Sequence, residues 1–213
     1  FDGNVRNVST PDIGADEGAF VLLDLIGPSI TFSPLLNTSS TGNRILTTTI
    51  IDPSGVPTAG VGLPVIYYRK NADPWASTQC SFVSGSNYDC TIVAASMGGV
   101  VVTDVVQYYV AAQDMPGNVS VSPSGGAGGL TANPPAAATP PTTPNQYTIV
   151  GTASGTFNVG AGETYTSLTN TGGIFEFINN SEVNGNITIN ITSDLSAASG
   201  TMVAETGTVA LNQ

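Results

Sequence analysis

Short runs in which apolar and polar residues alternate recur along most of the chain. They are rich in Val, Ile, Thr and Tyr and are separated by clusters of Gly, Pro, Asn and Asp. The three-and-four spacing of an amphipathic helix is almost absent, so the pattern predicts an all-β chain. Strands are expected at Ser29 to Ser33, Arg44 to Ile51, Pro64 to Lys70, Trp75 to Val83, Tyr88 to Ala94, Asp104 to Gln113 and Gln146 to Val150. Short strands with turn signals between them, over about 120 residues, are the pattern of an immunoglobulin-like sandwich. The clearest alternation lies in Asp104 to Gln113. There Val106, Tyr108, Val110 and Ala112 share one face, predicted to enter the core with Leu46, Ile50 and either Tyr67 or Ile66. The opposite face, with Val105, Gln107, Tyr109 and Ala111, is expected to be partly wet. Between Met115 and Asn145 the density of Gly and Pro rules out a regular element, leaving a loop wrapped on the sandwich or a linker.

Residues 151–213 have another character. GTFNVG at 155–160 and NITINITSDL at 186–195 read as strands, the latter with Ile187, Ile189 and Ile191 facing inward and Asn184-Gly185 as a turn signal just before it. Between them IFEFINN places Ile174, Phe175, Phe177 and Ile178 where one helical turn collects them, so a short helix is expected. At the other end, FVLLDLI at 20–26 is apolar on both faces of an extended strand apart from Asp24, and such a strand must be covered on both sides. The expected division is a polar tail with an apolar linker strand at 1–26, a β-sandwich at 27–150, and a second β-rich unit at 151–213.

Composition narrows the chemistry. Four Lys and Arg against 15 Asp and Glu give a formal net charge of −11, which repels phosphate backbones and anionic lipid heads. The absence of histidine removes the usual general base, the Ser-His and Cys-His nucleophile systems and the commonest zinc ligand. Carboxylates are left as the only catalytic candidates. Asp104 and Asp114 would stand about 33 Å apart at the ends of one extended strand, too far for a glycosidase pair. No enzymatic activity is expected. Charged residues make up only 9% of the chain, so its solubility rests on Ser, Thr, Asn and Gly, an extracellular look. The most apolar stretch, 19–27, is too short to span a bilayer, and the chain opens at Phe1 like a mature or excised piece of a larger protein. Cys80 and Cys90 bracket a turn-like SGSN, which suits a cross-strand disulfide in an oxidising compartment, with Phe82 opposite Tyr88; a free pair is the alternative.

Three stretches resemble known families. Tyr108-x-Val110-x-Ala112-x-Asp114-x-x-Gly117-Asn118, preceded by VIYYRKN, resembles the F strand, following turn and C strand of fibronectin type III and related bacterial Ig-like modules. PDIGADEG at 11–18 is similar to the ending of parallel β-helix domains in large secreted surface proteins of the Bacteroidetes. GTFNVGAGETYTSLTNTGGIFEFIN with NITINITSDL is similar to the opening of another such domain. The resemblance implies an adhesin-like surface protein in which the tail of one β-helix, an Ig-like module and the head of the next follow in series.

Few residues point to a site. Asp12, Asp16 and Glu17 offer oxygen ligands around a Gly turn and are the candidates for calcium, against a reading in which Asp12 caps a turn and the others are solvated. No other cofactor is expected. Trp75 beside Tyr67 and Tyr68 is the candidate stacking platform for a sugar ring, against a reading as core or rim packing. The expected function is that of a structural or adhesive module of an extracellular surface or filament-forming protein, a spacer that assembles head-to-tail. Its partners would be neighbouring domains, copies of itself, glycans or another surface protein. The alternative is a glycan- or protein-binding accessory module of a secreted polysaccharide-degrading enzyme.

Overall fold

The computed structural model describes residues 23–125, 128–195 and 205–211. Two antiparallel sheets face each other across the main core. The first runs β1 (Ser29–Thr31), β2 (Arg44–Ile51), β6 (Asn87–Ile92), β5 (Ser81–Ser84) in spatial order. The second runs β11 (Asn145–Thr148), β7 (Val105–Gln113), β3 (Val65–Lys70), β4 (Ala76–Gln79), with β8 (Val119–Ser122) paired to the far half of β7. Alternation decides the faces: Leu46 and Ile50 of β2 and Tyr88, Cys90 and Ile92 of β6 meet Ile66 and Tyr68 of β3 and Val106, Tyr108, Val110 and Ala112 of β7. Of the two alternatives, Ile66 and not Tyr67 faces inward. Three buried side-chain oxygens of the core are partnered: Tyr108 Oη accepts the Leu35 amide at 2.8 Å, Tyr68 Oη lies 2.8 Å from Thr78 Oγ1, and Thr48 Oγ1 donates to the Tyr88 carbonyl at 3.2 Å.

Two expectations about the sandwich need correction. The run from Trp75 to Val83 is not one strand, because the chain changes sheets within it: β4 pairs with β3, and β5 pairs with β6, where Phe82 opposes Tyr88. Cys80 stands at the crossing, its amide on the Pro64 carbonyl at 2.7 Å and its sulfur bonded to Cys90. The second face of β7 is partly wet, as expected: Val105 and Gln107 are half-buried, and the rest of that face is closed off. Tyr109, Ala111 and Gln113 are 2%, 0% and 3% exposed, because the Gly/Pro-rich excursion folds back over the sheet. Against the expectation of no regular element there, it carries β8 and a small hairpin of β9 (Leu130–Thr131) and β10 (Ala136–Ala137), because its Gly and Pro residues fall between these short strands. Gln113 and Asn133 exchange two hydrogen bonds, at 3.1 and 2.7 Å, and Tyr67 Oη donates to the Pro135 carbonyl at 3.1 Å.

Beyond the sandwich, β12 (Gly151–Val159) pairs in parallel with β13 (Ser181–Ile191), and α1 (Ile174–Asn179) makes the crossover that a parallel pair requires. Val159, Ile174 and Ile178 form a second, smaller core, against which Phe157, Phe177, Ile187 and Ile189 pack. Equivalent residues stack in register: Thr156 on Thr188, Phe157 on Ile189, Asn158 on Asn190 and Val159 on Ile191. Asn184-Gly185 does not turn the chain. It lies within β13, where the register with β12 shifts opposite Ser154, as a bulge does. Ile191, expected inward, is 56% exposed.

Candidate functional site

The sandwich has two poles, and the chain enters by one and leaves by the other. At the entry pole three carboxylates converge from distant turns. Asp24 precedes β1, Asp52 follows β2 and Asp114 follows β7, and one carboxylate oxygen of each lies within 4.8 Å of the other two. Asp52 is followed directly by Pro53, Asp114 by Pro116-Gly117 two residues on, and Asp24 by Gly27-Pro28 three residues on. Asp114 is fully buried; its Oδ1 accepts the Gly117 and Asn118 amides and its Oδ2 the Asn118 side-chain amide, each at 2.6 Å. Asn118 also donates to the Asp24 carbonyl at 3.0 Å, tying the entering chain to the turn. The Ser54 hydroxyl, and after it the Ile26 amide, hold the Asp24 carboxyl below the ordinary carboxylate range. Asp52 accepts the Ser54 amide at 2.7 Å. Gly27 makes this docking sterically feasible, since a Cβ there would stand 2.7 Å from the Val119 carbonyl carbon.

The basic residues among the described ones sit elsewhere. Arg44 donates to the Leu36 carbonyl at 2.7 Å and lies over the Tyr147 ring, Arg69 bonds Gln107 at 2.7 Å, and Lys70 donates to the Gly99 carbonyl at 3.0 Å. Asp24, Asp52 and Asp114 are the described residues arranged to hold a hard, oxygen-seeking cation. The same oxygens also brace the turns they belong to. Asp12, Asp16 and Glu17, the sequence candidates for calcium, lie outside the described residues. The triad escapes sequence reasoning because its members are far apart along the chain. The signal that could have found them is an Asp followed within a few residues by Gly or Pro at the end of a strand, as at Asp52-Pro53 and Asp114-Met115-Pro116-Gly117.

At the exit pole the sandwich passes into the parallel pair without a linker. β11 ends at Thr148, β12 starts at Gly151, and between them Ile149 is 1% exposed in the sandwich core. Its backbone is held from one side by Asp104 and Thr103, at 2.8 and 2.7 Å. From the other side Thr38 bonds the neighbouring Thr148 carbonyl and Val150 amide at 3.1 and 2.9 Å. Glu182 of β13 reaches back across the junction and accepts the Ser39 amide at 2.5 Å and the Thr38 hydroxyl at 3.1 Å. The Ser39 amide above all lowers the Glu182 pKa.

The aromatic candidates divide. Tyr68 is fully buried in the core, which removes it from any exposed platform. Tyr67 stacks on Tyr109 at 4.9 Å and 8°, Trp75 meets Tyr109 edge-on at 5.1 Å, and the Arg69 guanidinium lies 4.7 Å over the indole. Trp75 and Tyr67 are half-buried. Cys80 and Cys90 are joined as expected. Among the described residues, no helix is long and apolar enough to cross a membrane. No protein-family model matches the chain, and no curated protein matches it significantly.

Proposed function

We propose that this chain is a structural module of a large extracellular surface or filament-forming protein, a rigid spacer that carries load or position between neighbouring domains. The observation that carries this reading is the linkerless junction at Ile149, closed on one side by Thr103 and Asp104 and on the other by Thr38 and Glu182. Flexible connection is the default between domains, and here the connecting residue is itself bridged to Thr38 and buried in one of the two cores. The disulfide fits an oxidising, extracellular setting. Head-to-tail assembly belongs to the same proposal. Leu23, Leu25 and Ile26 are 77%, 73% and 77% exposed at the entry pole, and β13 pairs with one strand only among the described residues.

Paired spin labels at Thr47 on the sandwich and Thr188 on β13 test the spacer role. A rigid spacer gives one narrow distance distribution, and a broad one refutes it. Light scattering tests the assembly role: growth with concentration, abolished by Leu23→Asp/Leu25→Asp, is expected, and a monomer at high concentration refutes it.

A further inference from the structure

Residues 205–211, Glu-Thr-Gly-Thr-Val-Ala-Leu, lie along a groove on the second unit in the manner of a bound peptide. The Glu205 carboxylate enters a nest of four donors: Ser167 Oγ at 2.9 Å, the Leu168 amide at 2.7 Å, and the Thr169 amide and hydroxyl at 2.9 and 2.7 Å. The segment then reads along the groove by backbone. The Thr206 amide donates to Asn170 Oδ1 at 3.2 Å, the Val209 amide to the Thr169 carbonyl at 3.3 Å, and Asn179 Nδ2 to the Ala210 carbonyl at 2.6 Å. At Gly207 the two segments touch so closely that a Cβ would fall 2.0 Å from the Thr169 carbonyl oxygen, so glycine alone passes.

The groove is built without the segment. Asn170 donates to Ser167 Oγ at 2.9 Å, Ile174 to the Ser167 carbonyl at 3.1 Å, Phe175 to the Leu168 carbonyl at 3.1 Å and Gly173 to the Asn170 carbonyl at 2.8 Å. These bonds anchor the turn to α1, whose Ile174 and Ile178 sit in the small core. The segment, by contrast, has no fully buried residue: Glu205, Gly207 and Val209 are half-buried, and Thr206, Thr208, Ala210 and Leu211 are exposed. Local opening free energy follows buried apolar contact, of which this segment has little. An open groove of about 500 Å³ remains beside it, lined by Thr166, Asn170, Thr171, Gly172 and Gly173 as well as by Thr206 and Gly207.

We infer that the turn at 166–173, with Asn179, is a peptide-recognition site for a Glu-x-Gly segment, and that the chain's own residues 205–211 are its resident ligand. The carboxylate gives the anchor, the glycine gives the specificity and the backbone gives the direction. The same segment of a second copy therefore fits the same seat. This inference stands apart from the spacer reading, since neither the junction nor the sandwich takes part in it.

The test uses the full chain carrying Glu205→Ala and a fluorescent synthetic peptide of residues 205–211. Saturable binding to the variant is expected, at least about tenfold weaker to the unaltered chain, where the tethered segment competes at an effective concentration on the order of millimolar. Peptides with Gln in place of the Glu, or Ala in place of the Gly, should lose at least about tenfold in affinity, as befits a lost charge-assisted anchor or a steric clash. Absence of saturable binding to a variant that keeps its circular dichroism, or equal binding of all three peptides, overturns the inference. Should the variant not fold, amide exchange of the unaltered chain decides. Faster exchange at Thr169 and Val209 than at Asn158 in the β12–β13 pair supports a detachable ligand, and exchange of all three at one common rate overturns it.

Discussion

Ile149→Ala is the most informative single change at the junction. The side chain is 1% exposed and packs in the sandwich core, while its backbone amide and carbonyl stay bonded to Asp104 and Thr103 whatever the side chain is. The substitution therefore removes packing and leaves the ladder intact. Three carbons at about 0.8 kcal/mol each give about 2.4 kcal/mol of lost transfer energy. The cavity left in a site that cannot collapse, fixed by backbone bonds on both sides, raises this to about 3–4 kcal/mol. For a chain of this size the melting temperature should fall by about 6–15 °C. Calorimetry measures the fall, and amide exchange at Asn158 and Thr188 asks whether the parallel pair feels it. Because Ile149 belongs to the sandwich core and its neighbour Gly151 already belongs to the ladder with Ser181, both units should be destabilised together. Val150→Ala, at a half-buried position, should cost about 1 kcal/mol as a control. A melting temperature within about 2 °C of the parent, or a parallel pair whose exchange does not change, would refute the view that one buried residue couples the two units.

Cys80→Ala/Cys90→Ala should cost about 2.8 kcal/mol in the chain-entropy estimate for so short a loop; a loss below about 1 kcal/mol by denaturant titration would mean that the ladder alone fixes the sheet change. Val110→Asp places an unpaired charge at a position with 0% exposure and should abolish the cooperative transition, and retained two-state melting would show β7 to be inverted. Burial, and next to it the Tyr67 phenol, pushes the Tyr109 phenol up to about 12, and burial does the same for Tyr147. Folded values above the unfolded value of about 10 mean that this stabilisation is complete below pH 10 and is lost as pH rises towards 12. Phenolate absorbance should thus grow together with alkaline unfolding in that window, and ionisation near pH 10 in an intact fold would contradict the burial. In chelator, Asp52→Asn should raise the melting temperature, because it keeps an acceptor for the Ser54 amide and removes one of three like charges; a fall would contradict that electrostatic reading.

Where periodicity reports burial on one face, the fold is legible from the chain alone. Val106, Tyr108, Val110 and Ala112 face the core as their spacing requires, and IFEFIN forms its short helix. Periodicity fails where a second layer covers the other face: nothing in the spacing of Tyr109, Ala111 and Gln113 announces that Asn133 and Pro135 will return over them. It fails again where the chain changes sheets, since no Gly or Pro separates Ala76–Gln79 from Ser81–Ser84, which lie in two different sheets. The sites are less legible still. Asp24, Asp52 and Asp114 are brought together by three separate turns, and the partners of Glu205 lie in a Ser/Thr-rich loop whose composition only suggests solubility. The disulfide is the exception, because two cysteines around a short turn leave one geometry for a hairpin.

The placement of that disulfide has a mechanical consequence. Traction applied between the poles enters through β1, whose Ser29 lies opposite Ile51 beside the acidic pole, and leaves through β11, whose Thr148 lies opposite Val105 at the other. Both strands are pulled along their own axes against antiparallel neighbours, so the perpendicular ladder bonds are loaded together in shear and not opened one after another. The segment from Cys80 to Cys90 lies between these two strands in sequence and, once they part, is bridged by its covalent bond. With a separation of 10 residues it withholds about 35 Å of contour length from the extended chain. Reduction would release that slack in an unravelled module while leaving the shear-bearing ladders of the folded one as they are.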